Sequence, residues 1–174
     1  MTKKLIITIA VLFSLSTILI LNNSFLYEVN KKLNMISAGS YADAEIYQLN
    51  YSVKEVKDAI ELFKKEHPEF NTPKVSVRNE EEFELIDKES KNHWFLIYFY
   101  NPDQNLILNI CIRGNGTNTK LAFVAINESL NIGNWKDVNK DFSYKENEKI
   151  KEHFQTKYLM PIKTILYKNE LDSY

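Results

Sequence analysis

Three patterns of hydrophobic and polar positions follow one another along the chain: an unbroken apolar run, a helical three-and-four spacing, and strand-like alternation. The unbroken run comes first. Leu5 to Leu21 carries no charge and only four hydroxylated side chains. At about 1.5 Å rise per residue it makes a helix of roughly 26 Å, slightly short of a hydrocarbon core of about 30 Å. With Asn22 and Asn23 at the interface, or a slightly thinned bilayer, the run serves as a membrane anchor. Lys3 and Lys4 ahead of it keep the N-terminus in the cytoplasm and place the rest of the chain outside, although Lys31 and Lys32 behind it weaken the asymmetry. A second reading is a cleaved signal peptide, with Leu5 to Phe13 as its apolar core and Ser14-Leu15-Ser16 as a small-x-small cleavage site. A third is a buried hydrophobic helix. No cysteine lies near the run, which excludes lipid attachment at a cysteine following it.

Beyond this segment Phe25, Leu26, Val29, Leu33 and Ile36 recur at three- and four-residue steps. This spacing predicts an amphipathic stalk helix to about Ala38, stopped by Gly39 and Ser40. The organisation expected is therefore an anchor or signal segment over 1–26, an amphipathic stalk helix over 27–40, and a single α+β domain over 41–174.

Within that domain Glu45 to Tyr51 alternates and reads as a strand. Ser52 then offers an N-cap, Glu55 completes a capping box, and Tyr51 can staple against Val56. Val53, Val56, Ala59, Ile60 and Phe63 make one apolar stripe that ends near His67-Pro68. Strand patterning resumes at His93 to Tyr100, followed by a turn over Asn101 to Asn105, a strand over Leu106 to Arg113, a polar loop, and a strand over Lys120 to Asn127. On the Leu106 strand one face is wholly aliphatic, whereas Asn109 and Arg113 interrupt the other. The strand before it is apolar on both faces, so it is expected to be central, or to offer one face for binding. Residues 128–142 read as an ordered loop. Ser143 and Glu146 form a second capping box ahead of a helix carrying Ile150, Phe154 and Tyr158, which Pro161 is expected to break or kink. The fold class is α+β: a mostly antiparallel sheet packed with helices, preceded by an N-terminal hydrophobic membrane-targeting helix.

Charge and composition narrow the partners. Past residue 26 the chain holds 20 Lys and Arg against 23 Asp and Glu, a balance unsuited to a polyanion, so no nucleic acid is expected. The lone Cys111 leaves no internal disulfide, and the domain must be held by packing. Twenty Lys against two Arg, nineteen Asn and four Gly are the bias of AT-rich codons. The expected source is a bacterium, and the outer compartment a periplasm or cell surface.

Candidate chemistry is sparse. His67, His93 and His153 fall in three different elements, without metal-ligand spacing. Gly114 to Lys120 has the flavour of a phosphate loop but lacks its Gly-Lys-Ser/Thr ending and leads into a strand. Cys111 would need a base across space to act as a nucleophile, and reads as a buried thiol. Six carboxylates between Glu80 and Glu89 lack the calcium-loop pattern and read as a solvated edge. No catalytic residue, metal ligand or cofactor is assigned. What exceeds the background is the aromatic content, 22 Tyr, Phe and Trp residues. Trp94, Tyr98, Tyr100 and Trp135 are amphipathic enough to line an interface or a pocket, and Arg113 is a candidate anion contact. The expected function is a non-enzymatic, membrane-tethered recognition or accessory domain that binds a protein partner outside the cytoplasm. Binding of a small ligand or lipid is the alternative, and a hydrolase the third.

Overall fold

The computed structural model describes residues 41–78, 80–90 and 93–172. The anchor and stalk readings fall on residues that lie outside this description. Among the described residues no helix is long and apolar enough to cross a membrane.

The fold is α+β. Strands β1 (Glu45–Leu49), β3 (Lys88–Glu89), β4 (Phe95–Asn101), β5 (Leu106–Gly114), β6 (Thr119–Glu128) and β8 (Trp135–Asp137) form an antiparallel sheet in the order β1-β6-β5-β4-β3, with β8 also pairing to β6. A two-residue parallel pair, β2 (Ser76–Val77) with β7 (Asn131–Ile132), stands apart. The middle strand is β5, and β6 beside it carries β1 and β8 along its other side. By contrast β4, which its two apolar faces marked as central, lies beside the edge, covered there only by the two residues of β3.

That edge is closed by side chains. Asp87 Oδ1 accepts a hydrogen bond from the Tyr98 amide at 3.0 Å, and Asp87 Oδ2 takes the Lys64 ammonium at 2.6 Å. Tyr158 donates its hydroxyl to the Tyr100 carbonyl at 2.9 Å. Main-chain groups that would otherwise invite another strand are thereby occupied.

Helix α1 (Val53–Glu66) starts where Ser52 and Glu55 form a reciprocal capping box, and α2 (Tyr144–Phe154) starts at the equivalent box of Ser143 and Glu146. The predicted stripe of α1 buries Val56, Ala59, Ile60 and Phe63 against Ile97, Phe99, Ile110 and Phe123 of the sheet. A 3₁₀ turn over Pro68–Phe70 follows α1. Pro161 does not break the C-terminal helix. A π-helical turn, Gln155–Leu159, joins α2 directly to α3 (Met160–Leu171), with Pro161 in the first turn of α3. The wider turn, in which the Met160 amide reaches back to the Gln155 carbonyl, makes room for a ring that would collide with an α-helical carbonyl.

One irregularity in β6 sets which side chains face the helices. Asn109 opposes Ala125, but the next pair is Ile110 with Phe123, which leaves Val124 as a bulge. Leu121, Phe123 and Ile126 consequently all enter the helix-covered core, while Ala122, Val124 and Ala125 belong to the opposite face. Without the extra residue Ile126 would point away from Phe123.

The stretch 128–142, read from the sequence as an ordered loop, also holds the two short strands β7 and β8. Asn127 is fully buried. Its Nδ2 reaches the carbonyls of Glu128, Ser129 and Asn131, and its Oδ1 accepts from the amides of Gly133 and Asn134. This wraps the chain into β7 and β8. Gly133, at φ +138°, provides a backbone conformation that a side chain would strain.

Candidate functional site

The face of the sheet turned away from the helices carries the predicted binding residues. Alternation places Leu96, Tyr98 and Tyr100 of β4 there, in register with Cys111, Asn109 and Ile107 of β5. The centre of this face is small: Cys111, Ala122 and Ala125, all buried. Large aromatic side chains from the periphery close over it.

Two pairs and one separate residue account for the five predicted positions. Trp94 is fully buried, which removes it from any accessible surface. The Arg113 guanidinium lies 4.4 Å from its ring centroid, and Tyr41 meets it edge-on at 5.5 Å. Arg113 thus stacks on an indole rather than standing ready for an anion. Tyr98 and Trp135 form the second pair, with ring centroids 6.3 Å apart. Because β5 and β6 intervene, these rings meet by leaning across Asn109 and Ala125, and both remain half-buried. Tyr100, also half-buried, donates its hydroxyl to Asn105 at 3.0 Å in the β4–β5 turn.

Cys111 sits beneath this layer with no exposure. Burial pushes its thiol up to about 11, with the Tyr41 hydroxyl opposing the shift. Burial likewise raises Tyr41 above the ordinary tyrosine range. His153 belongs to the helix-covered side of the sheet and Cys111 to the other, so the sheet itself separates thiol from imidazole. Among the described residues no three His, Cys, Asp or Glu side chains cluster to hold a metal ion.

On the helix side, where α2 and the π turn pass the β4–β5 hairpin, a cleft of 420 Å³ opens. Leu106, Leu108, Phe123, Ile126 and Ile150 form its apolar floor. Lys149, Glu152, His153 and Lys157 stand around it with Asn101. Asn101 is 2% exposed, and its orientation is determined by its partners. Its Oδ1 accepts from the amides of Asp103 and Gln104, so Nδ2 is the atom facing His153 Nε2 at 3.0 Å. Nε2 must accept, and the His153 proton resides on Nδ1. Burial, helped by the Lys157 charge and opposed by Asp103, lowers the imidazole below its ordinary range and favours this neutral form. Asn101 and His153 lie 52 residues apart. No local motif joins them, which is why the sequence pattern does not reveal the pair.

No family model matches the chain, and no curated protein or solved structure is similar to it.

Proposed function

We propose that the chain is a non-enzymatic recognition domain, tethered by residues 5–21 at the outer face of a membrane, that binds a protein partner through the aromatic face of its sheet. The observation that carries this reading is the Tyr98–Trp135 pair, two half-exposed amphipathic rings held against each other by a rigid sheet. Aromatics positioned in this way lose little side-chain entropy on binding and are typical interface anchors. Tyr100 extends the patch. Trp94 and Arg113 act from beneath it, as support.

The test is affinity capture with the full-length chain followed by titration of the captured protein. Tyr98→Ala and Trp135→Ala are each expected to weaken its binding by about 2 kcal/mol, the scale of an interface hot spot. Unchanged affinity in both folded variants would move the interface elsewhere. The tether is tested separately by Ile9→Asp with Val11→Asp. Each central carboxylate costs about 2.5–3.5 kcal/mol on insertion and is expected to release the chain from the membrane fraction.

A further inference from the structure

Helix α3 carries two apolar faces, and the domain covers one of them. Ile162 and Leu166 are buried in the core. Met160, Thr164, Tyr167 and Leu171 fall within about 60° of one another on the opposite side of the helix. There Met160, Tyr167 and Leu171 are 61%, 58% and 55% exposed. Thr164 between them donates its hydroxyl to the Met160 carbonyl at 3.0 Å, so its polar atom is satisfied within the helix. Single exposed apolar side chains are ordinary, but a row of them marks an interaction surface. The 4-3-4 spacing of this row is that of a seam between two packed helices. Lys163 and Glu170 line the edge of the row nearer Tyr51, whose hydroxyl donates to Glu170 at 3.0 Å. Lys168 lies on the other edge with Pro161, and Asp172 follows the last turn. Lys163 makes no ion pair among the described residues.

We propose that this row is the contact between two copies of the chain, packed antiparallel about a two-fold axis level with the Ile165–Leu166 step. In that register Thr164 meets the partner's Tyr167 and Met160 meets the partner's Leu171, so the largest side chain of the row falls on the smallest. Lys163 faces the partner's Glu170, and the symmetry repeats the pair in the other direction. Lys168 comes level with the partner's Pro161, which carries no charge, and Asp172 comes near the level of the partner's Lys157. A parallel pair would instead set Tyr167 on Tyr167 and bring each Lys163 beside the other helix's Lys168. An anionic bilayer would have to accept Glu170 and Asp172 along with the lysines. Three large side chains a copy fall short of the roughly 800 Å² per partner of a standard interface. The pair is therefore a weak one, formed where chains are concentrated.

Cross-linking of the full-length chain, crowded in phosphatidylcholine vesicles, tests the pairing. Met160→Cys and Leu171→Cys populations are reconstituted together and treated with a short bismaleimide, from which the native Cys111 is shielded by burial. Helices packed with axes about 8–10 Å apart bring these two thiols within reach of each other. The mixture is expected to cross-link and either population alone is not, because equal positions on antiparallel partners lie roughly 16 Å apart along the axis. Lys54→Cys in place of Met160→Cys sets the level of chance collision. Tyr167→Asp added to both populations is expected to lower the mixed product about tenfold. Lys163→Glu is expected to lower it about threefold, and Lys163→Glu with Glu170→Lys to restore it. An unaltered thermal unfolding curve verifies that each variant folds. Cross-links within single populations, a mixed product at the chance level, indifference to Tyr167→Asp, or a charge swap that restores nothing would each overturn the pairing. So would shielding of Tyr167→Cys from a water-soluble maleimide by phosphatidylglycerol vesicles without any cross-link, which would give the row to the bilayer. Tyr98 and Trp135 take no part in the contact, so this pairing and the reading of the aromatic face fail separately.

Discussion

The two faces of one sheet are built by opposite means. On the helix side the strands contribute large side chains, Ile97, Phe99, Ile110 and Phe123, and the cover is regular helix bearing further aromatics such as Phe154, whose ring stacks on Phe123 at 4.5 Å. On the other side the strands contribute Cys111, Ala122 and Ala125, and the bulk arrives from the periphery as Tyr41, Trp94, Tyr98 and Trp135. The first arrangement excludes water by interdigitation. The second is a thin aromatic sheath, with one side of several rings against protein and the other free. Depth of burial thus separates a stabilising face from one able to spare its aromatics for contact.

The most severe way to break this contrast is Phe123→Ala, which removes a fully buried ring. A loss of about 3–5 kcal/mol is expected from chemical denaturation, against about 1 kcal/mol for Tyr98→Ala on the half-buried sheath. Comparable losses would mean that the sheath is as integral as the core. Next in size are the helix starts. Ser52→Ala and Ser143→Ala each remove a cap that accepts the amide of the third helical residue, and each is expected to cost about 0.5–2 kcal/mol. An unshifted denaturation midpoint in either would show that water replaces the cap at no cost.

Acid sharpens the comparison because the groups it titrates lie on the helix side. His153 has a lowered pKa when folded, so the unfolded chain takes up that proton first as pH falls below about 6.5. Its contribution to stability is complete above that pH, is lost on the way down to the folded pKa, and is constant below it. Glu55 and Glu146, held below the carboxylate range by their capping serines, lose their contributions only below about 4.3. Denaturation midpoints measured between pH 8 and 5 are expected to fall in the native chain more than in His153→Gln. The smallest effect belongs to the sheath's own titratable group: with its thiol at about 11 and no exposure, Cys111 is expected to resist iodoacetamide at neutral pH on the timescale of hours. Rapid alkylation would show the sheath opening.

What could be read from the chain divides along the same line. Capping boxes, the α1 stripe and the β4–β5 turn are local patterns, and Ser52, Ser143 and Asn101 stand where those patterns place them. Alternation also assigned Tyr98 and Tyr100 to one face. It could not distinguish Trp94 from them, because what seals Trp94 is Arg113 from the neighbouring strand and Tyr41 from the start of the domain. Short β7 and β8 escaped for a similar reason: they are shaped by the buried Asn127 amide rather than by their own propensities. Pro161 looked like a helix breaker because helical wheels assume a constant pitch, and the π turn changes it. The cleft joins a turn to a helix 52 residues away and leaves no periodic trace.

The plugging of the β4 edge has a consequence for the life of the chain before it is folded. Trp94 to Tyr100 is seven consecutive residues without charge, proline or glycine, all suited to extended pairing. Such a segment is the material from which cross-β fibrils nucleate. In the native state its outer rim is covered by the two residues of β3, by the Asp87 carboxylate and by the Tyr158 phenol, which joins the structure only when the C-terminal helix docks. Synthesis therefore exposes this self-adhesive stretch well before its last guard is made, and the interval between the two is when molecules crowded together are most prone to join each other instead of closing on themselves.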